Sequence, residues 1–351
     1  MNLATPLSAL TTIGVGGVPE KLRVANTRDE VIEQARQMWA EADQWLIIGG
    51  GSNLVIADEI PDLQVLQICS QGVETEQLAD GKIRLRVQAG EQWDHLVEGT
   101  VAAGLAGLEA LSGIPGSVGA APIQNIGAYG AEVASSITAV EYLDYLSGEL
   151  QVLSPAQLSF AYRHSAFKAG SDGQKLEGVI TWVEFELENL GGLSQPIAFP
   201  QLAKALAVEV GAKLPVTQVR EAVLKLRAEK GMLLNPEDPD TAGCGSFFTN
   251  PVVSAALART LPESAPRFEN TDEDGLTVKL SAAWLIENAG IPKGFRIAGS
   301  GAGISTKHTL AITNRGGATA QDLLQLAEFV QVRVANRFGV NLQPEPNLVG
   351  F

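Results

Sequence analysis

Cysteine is nearly absent from this 351-residue sequence: there are two, Cys69 and Cys244. They lie far apart and neither belongs to a C-x-x-C pair, which excludes a disulfide framework and leaves no zinc-site spacing. Histidine is almost as scarce. His95, His164 and His308 are scattered without metal-ligand spacing, so the expectation is a metal-free protein. Positive charge is in deficit: 25 Lys and Arg face 40 Asp and Glu, a formal net charge of -15. A chain this acidic repels nucleic acid and anionic membrane, which removes both from the expected partners. Any anionic ligand must be held by local charge and dipoles against that field. Long apolar runs are missing too. No stretch reaches the roughly 18 residues of a membrane span, and MNLATPLSALTTIGVGG has neither the basic start nor the apolar centre of a secretion signal. The expected location is the cytoplasm, which suits such sparing use of cysteine.

What is present reads as globular: 45% hydrophobic and 19% charged, with length enough for two or three domains. Thr27-Arg28-Asp29-Glu30 is a capping box ahead of Val31, Ile32, Ala35, Met38 and Trp39 at helical spacing. Strands are predicted at 45–48, 54–56, 63–68, 83–88, within 137–153 and at 178–187. Helices are predicted over 92–103, 217–229 and 319–338, with Gly104 and Gly339 as stops. Residues 277–289 read as helical or mixed and 309–313 as a strand. Residues 188–200 and 231–251 read as loops, and two prolines keep the tail NLQPEPNLVGF from forming a regular helix. There is no internal repeat. Interleaved strands and helices predict an α+β or mixed α/β architecture with breaks near 70–75 and 228–235.

Two glycine loops carry the chemistry. The first follows the apolar run WLII: Gly49, Gly50, Gly51, Ser52, Asn53. It lacks the last glycine of G-x-G-x-x-G, since Leu54 stands there, and no lysine follows as a P-loop requires. A lone GGG is as often a tight turn as a ligand loop. The second, SGIPGSVGAAPIQNIGAYG over 112–130, spaces Gly113, Gly116 and Gly119 three apart and stiffens the turn with Pro115. Such stretches offer amide donors without obstruction. Two of them suit an extended diphosphate cofactor, one cradling the diphosphate and the other lining a planar ring; the alternative is close backbone packing alone.

GGGSN followed some sixty residues later by G-x-P-G-x-x-G resembles the flavin fold of the vanillyl-alcohol-oxidase superfamily. More narrowly, IIGGGSNLVI, GLEALSGIPGSVGAAPIQNIGAYGAE, FAYRHSAFK, GSFFTNPVV and the terminal PEP are similar, in order along nearly the whole chain, to the UDP-N-acetylenolpyruvoylglucosamine reductases of bacterial peptidoglycan synthesis, and to their type I branch. The resemblance implies an α+β protein: a two-part FAD-binding fold (1–72 with 339–351 returning, then 73–229) and a C-terminal substrate-binding domain (230–338). It implies non-covalent FAD, NADPH as hydride donor and UDP-N-acetylglucosamine enolpyruvate as substrate, with NADPH and substrate taking turns in one pocket. Reduced flavin N5 would give hydride to the enolpyruvyl C3 and a proton would be added at C2. It also implies that Gly49, Gly50, Gly51, Ser52, Asn53 and Leu54 surround the FAD diphosphate. Ile114, Pro115, Gly116, Ser117, Gly119, Ala120, Asn125, Gly127, Ala128 and Tyr129 would line the rest of the cofactor. A monomer is expected.

Hydride addition to an enol ether conjugated with a carboxylate builds negative charge that needs donors in a dry site, then a proton. The resemblance gives Arg163 the substrate carboxylate, a task that suits a planar, always-charged guanidinium; on its residue type alone it would be a surface ion-pair arginine. Ser246 matches the proton donor, although a serine after glycine otherwise reads as a turn former or cap. Glu345, in QPEP, matches the glutamate that steadies the enol intermediate, for which a raised pKa is expected; otherwise it is a solvated tail residue. Pro346 and Asn347 depart from the family's usual residues after it. Lys230 and Asn250 match positions that hold the substrate diphosphate. In PIAFPQL (196–202), Phe199 stands where the type I branch has a tyrosine that closes over substrate, so stacking is kept and a hydroxyl donor is lost. Tyr129 is expected at the pocket wall or packed in a core. Cys244 is expected as a small buried filler. Other readings remain: an oxidase of sugars or alcohols, against which no histidine lies beside either glycine loop for covalent flavin, and a nucleotide-sugar binding module without activity.

Overall fold

The computed structural model describes residues 5–168, 175–269 and 277–351. Its contacts gather the chain into two compact units. Pro19–Gly51 and Pro61–Ala228 form the larger; Met1–Val18, Ser52–Ile60 and Glu229–Phe351 form the smaller.

The larger unit holds two main sheets and, in the NIGAYGAE stretch, the short pair Gly127–Ala128 with Ala131–Glu132. The first is parallel, in the order Lys21–Ala25, Gln64–Ile68, Trp45–Ile48. Parallel strands need a crossover, and the Arg28–Glu41 helix carries the chain from Lys21–Ala25 to Trp45–Ile48, the two outer strands. It is capped where predicted: Thr27 accepts the Glu30 amide and the Glu30 carboxylate takes the Asn26 amide at 2.7 Å. Val31, Ala35 and Met38 form its buried face. The second sheet is antiparallel, in the order Leu150–Leu153, Ile137–Asp144, Gly178–Leu187, Ile83–Gln88, Val73–Gln77. All of the first sheet precedes residue 70 and all of the second follows residue 72. Gly178–Leu187 is central and almost wholly buried, its polar Thr181 and Glu184 included. Val73–Gln77 is the exposed edge. Its sequence, VETEQ, was not predicted as a strand, nor was KLRVA at 21–25.

Residues 193–228 add a small body to this unit. Leu193 bridges Pro215, and Ile197, Leu202, Ala203, Val219, Val223 and Leu226 bury one another beneath the helices Pro200–Ala205 and Val216–Glu229. The segment 196–202, expected as loop, turns helical at Pro200. Proline at the first helical position is preset for that conformation and loses no hydrogen bond there.

In the smaller unit Leu54–Ile56 pairs in parallel with Asn347–Val349, so the proline-containing tail ends in a strand rather than a coil. Val252–Ser254, Thr277–Leu280 and Arg267–Glu269 form an antiparallel sheet, and Ala302–Ile304 pairs with Ile312–Asn314. The strand predicted at 309–313 is thus displaced towards 314. Thr277–Leu280 followed by the helix Ala282–Asn288 resolves the mixed stretch at 277–289. The helix Ala320–Phe338 runs from a complete capping box at Thr319 and Asp322 to Gly339 at φ +68°, the left-handed stop that glycine adopts without strain. Its buried stripe, Leu323, Leu326, Ala327, Val330 and Val334, joins Phe247, Phe248, Leu285 and Ile286 in one core.

Candidate active site

Gly49 and Gly50 of the first glycine loop meet the second loop, remote in sequence, within the larger unit. A Cβ added at Gly49 would fall on Ser117 Oγ, and one at Gly50 would lie 2.8 Å from Gly116 Cα. A Cβ at Gly119 would lie 2.6 Å from that of Ala89, whose carbonyl takes the Gly119 amide at 2.8 Å. Glycine is therefore required for the backbones to touch, not merely permitted. The Gly49, Gly50 and Gly51 amides find no acceptor among the described residues. Gly51 is buried, Gly49 half-buried and Gly50 exposed; amides without partners in a side-chain-free cradle are donors for an anionic group.

The NIGAYG segment is fixed from within. Asn125, 1% exposed, gives its side-chain amide to Glu132 at 2.9 Å and to the Ala161 carbonyl at 3.0 Å, and accepts the Ala134 amide. Arg163 donates to the carbonyls of Gly127 at 2.6 Å and Asn125 at 3.4 Å and lies over the Tyr162 ring. Asn125, Tyr129 and Arg163 all have positive φ; among the described residues only Ser159 and Ala207 share this outside glycine. Each such residue costs on the order of 1 kcal/mol, and two of them, Arg163 and the Asn125 whose carbonyl it reaches, mark a held geometry at this guanidinium. Tyr129 meets the edge of Phe199 at 6.0 Å. Asn125, Gly127 and Arg163 thus form one neighbourhood, and Tyr129 with Phe199 another on the same segment. Arg227, which no sequence signal indicated, is buried; burial lowers its pKa, and Tyr129 and Asp94 act on it in the opposite sense.

Within the smaller unit, Ser246 and Glu345 lie on segments that pair with one another. Phe247 donates its amide to Leu310 and its carbonyl accepts the Glu345 amide at 2.9 Å; Thr249 bonds Gln343 at 3.0 Å. These bonds lay GSFFTN against QPEP in antiparallel fashion, with Phe247 and Phe248 buried beneath. Glu345 is itself 9% exposed. Asn53 joins them: its side-chain amide donates to the Glu345 carbonyl at 3.4 Å and its own carbonyl accepts the Asn347 amide. Cys244 is buried against the Leu54 carbonyl. Burial, reinforced by the Glu345 charge, pushes its thiol up to about 12, so it is neutral filler rather than a nucleophile.

Asn250 has a structural task not foreseen: its side-chain oxygen accepts the Ala282 amide at 3.0 Å at the head of the Ala282–Asn288 helix. Asp240, buried between Lys230 and Ser246 in sequence, accepts from the Thr306 amide and hydroxyl and from Arg315, while Asp238 pairs with Lys307. The long spacer before Ser246 is thereby braced. His308 was also missed. Burial, with the Lys230 and Lys293 charges, pushes its pKa down from 6.5 to about 4. Below pH 6.5 the unfolded chain takes up a proton that the folded chain refuses until about pH 4, so stability falls as pH drops through that window. Between pH 7 and pH 5 this site removes about 2 kcal/mol. Urea unfolding at the two pH values is expected to show that loss in the native chain and its absence in His308→Gln; the same loss in both would refute it.

Residues 19–154 match the family model described as an FAD binding domain. With the paired glycine loops and their donor amides, the chain is a flavoprotein, and these residues fit the diphosphate of FAD. Residues 237–349 match the C-terminal domain of UDP-N-acetylenolpyruvoylglucosamine reductase. The reductase of that name from Leifsonia xyli subsp. xyli is 52% identical, over 98% of each chain; that of Thermobifida fusca is 47% identical, over 98% of this chain and 97% of its own. The crystal structure of the reductase from Thermus caldophilus has a TM-score of 0.64 at 27% identity, covering 99% of this chain and 98% of that one. The chain belongs to the UDP-N-acetylenolpyruvoylglucosamine reductase family.

Proposed function

We infer that the protein uses NADPH and FAD to reduce the enolpyruvyl group of UDP-N-acetylglucosamine enolpyruvate to UDP-N-acetylmuramate, a step of peptidoglycan synthesis. The carrying observation is the antiparallel pairing of GSFFTN with QPEP, which sets Ser246 beside Glu345 in a largely buried position. FAD, when bound, supplies the means of accepting hydride from NADPH and delivering it to C3 of the substrate. The chain's own residues do the rest. The amides of Gly49–Asn53 and the 114–120 segment hold the cofactor. Arg163, kept in place by two carbonyls and a strained backbone, takes the substrate carboxylate. Ser246 delivers the proton to C2, and Glu345 steadies the enol form before it arrives. Lys230 and Asn250 take the diphosphate, and Phe199 stacks on the substrate.

The flavin fold is proposed as two parts, 1–72 with 339–351 and 73–229, with 230–338 as the substrate-binding part; the two separate sheets on either side of residues 70–72 support that division. The enzyme is proposed to work in the cytoplasm as a monomer. Among the described residues no helix is long and apolar enough to cross a membrane.

The test is an anaerobic spectrum. NADPH should bleach the flavin band, and UDP-N-acetylglucosamine enolpyruvate should restore it without oxygen. A yellow protein that recovers only with air would refute the substrate, and a protein unable to take up FAD would refute the site. Phe199→Tyr restores a phenol that can donate to phosphate, worth about 1 kcal/mol. It is expected to lower KM for the substrate about fivefold with kcat unchanged. An unchanged or raised KM would remove Phe199 from the site.

A further inference from the structure

Two carboxylates outside the site tie the body that carries Phe199 to the segment that carries IPGSVG. Asp94, on the helix Trp93–Ala102, accepts the Gly113 amide at 2.6 Å and both terminal nitrogens of Arg220, at 2.7 and 2.9 Å. Glu109, 3% exposed, accepts the Gly107 amide at 2.6 Å on one oxygen and the Gln195 amide at 2.8 Å on the other. Each therefore grips one amide of the 104–120 stretch and one group of the 193–228 body. The two ties bridge 126 and 86 residues of sequence. They close on a body that is internally firm. Ser194 bonds Leu214 at 2.7 Å, Ile197 bonds Ala212 at 2.9 Å, and the apolar cluster under the two helices holds the rest. Burial raises the Asp94 pKa, but Arg220 and the Gly113 amide more than reverse this and keep the group ionised at neutral pH. Charge-assisted bonds of this kind are stronger and more directional than neutral ones.

We propose that Asp94 and Glu109 are positioning residues that couple the order of the Phe199-bearing body to occupation of the cofactor loop. Two backbone amides at the base of that loop, Gly107 and Gly113, are shared with the body, so a ligand that stiffens the loop stiffens both. The coupling rests on the reading that FAD lies on the 114–120 segment and that Phe199 faces substrate. Neither carboxylate tolerates its isosteric amide. Glu109 accepts one N–H on each oxygen, whereas glutamine offers one acceptor and an NH2 that would face a donor; asparagine at 94 likewise turns an NH2 on Arg220.

Hydrogen exchange read by mass spectrometry tests this on the full chain, stripped of FAD and reloaded, in the native protein, Glu109→Gln and Asp94→Asn. In the native protein FAD is expected to slow exchange at 45–54 and 113–120, and also at 193–216 by about tenfold or more. In either variant FAD should still slow the first two regions while 193–216 exchanges at one rate with and without it. A merely structural role would raise exchange at 193–216 but leave its response to FAD intact. The proposal is overturned if FAD leaves 193–216 unchanged in the native protein, or if both variants keep the native response there. If FAD slows no region at all, the cofactor-loop reading falls as well; a response at 45–54 and 113–120 alone sinks only the coupling.

Discussion

Ser246→Ala is expected to leave bleaching of the flavin by NADPH within about twofold of the native rate and to slow recovery by the enolpyruvyl substrate by roughly 10²–10⁴-fold, the usual worth of a positioned proton donor. The half-reactions separate because only the second needs a proton at C2. The variant should fold normally. The segment around Ser246 is held by its neighbours, through the bonds of Phe247 to Leu310 and Glu345 and the burial of both phenylalanine rings. Among the described residues no hydrogen bond involves the Ser246 hydroxyl. A loss is therefore chemical rather than architectural. Stopped-flow absorbance on each half-reaction decides the matter: equal loss in both would mean that Ser246 shapes the pocket and does not deliver the proton.

Gly50→Ala is expected to give a folded protein that purifies colourless. The added methyl lies 2.8 Å from Gly116 Cα and 3.1 Å from its carbonyl carbon, and backbone atoms cannot rotate away as a side chain would. The loops must part. The strain is about 1–3 kcal/mol, tolerable for folding, but the cradle between the loops loses its spacing. Losing two charge-assisted bonds to a diphosphate, each about 1.5–3 kcal/mol, weakens FAD binding about 100-fold or more. Gly99→Ala is the control. It lies in the helix Trp93–Ala102, where an added methyl meets nothing within 4 Å, and should bind FAD normally with stability unchanged or slightly raised. Flavin fluorescence titration measures both. Native affinity in Gly50→Ala would mean that the contact of the two loops is irrelevant to the cofactor.

How far the sequence speaks depends on whether a feature is local. The helix from Thr319 to Gly339 was legible to the residue, because cap, stripe and stop all lie within one segment. The strand Lys21–Ala25 and the edge strand Val73–Gln77 were not, because KLRVA is short and in VETEQ both faces meet solvent, so no apolar alternation develops. The pairing of Leu54–Ile56 with Asn347–Val349 leaves no local trace at all. Both glycine loops were visible as composition; that they touch was not. Ser246 and Glu345 owe their proposed roles to resemblance, since a serine after glycine and a glutamate between prolines are unremarkable by type. Arg227, His308, Asp94 and Glu109 escaped notice for a common reason. Their partners are distant in sequence, and a lone charged residue gives no hint that the fold will bury it.

The return of the tail to Asn53 has a consequence in time. Asn53 and Glu345, whose groups bond one another, are separated by 292 residues. A ribosome adding about 5–20 residues per second takes about 15–60 s to cover that distance. Throughout that interval the strand Leu54–Ile56 has no Asn347–Val349 to pair with, whereas residues 61–228, which supply most of the larger unit, are complete well before its end. Asn53 thus gains its bonds to Glu345 and Asn347 only once those residues have been made. The newborn chain carries the loop proposed for FAD without these bonds until residues 345–349 emerge, and a message cut short before them yields a protein that lacks them.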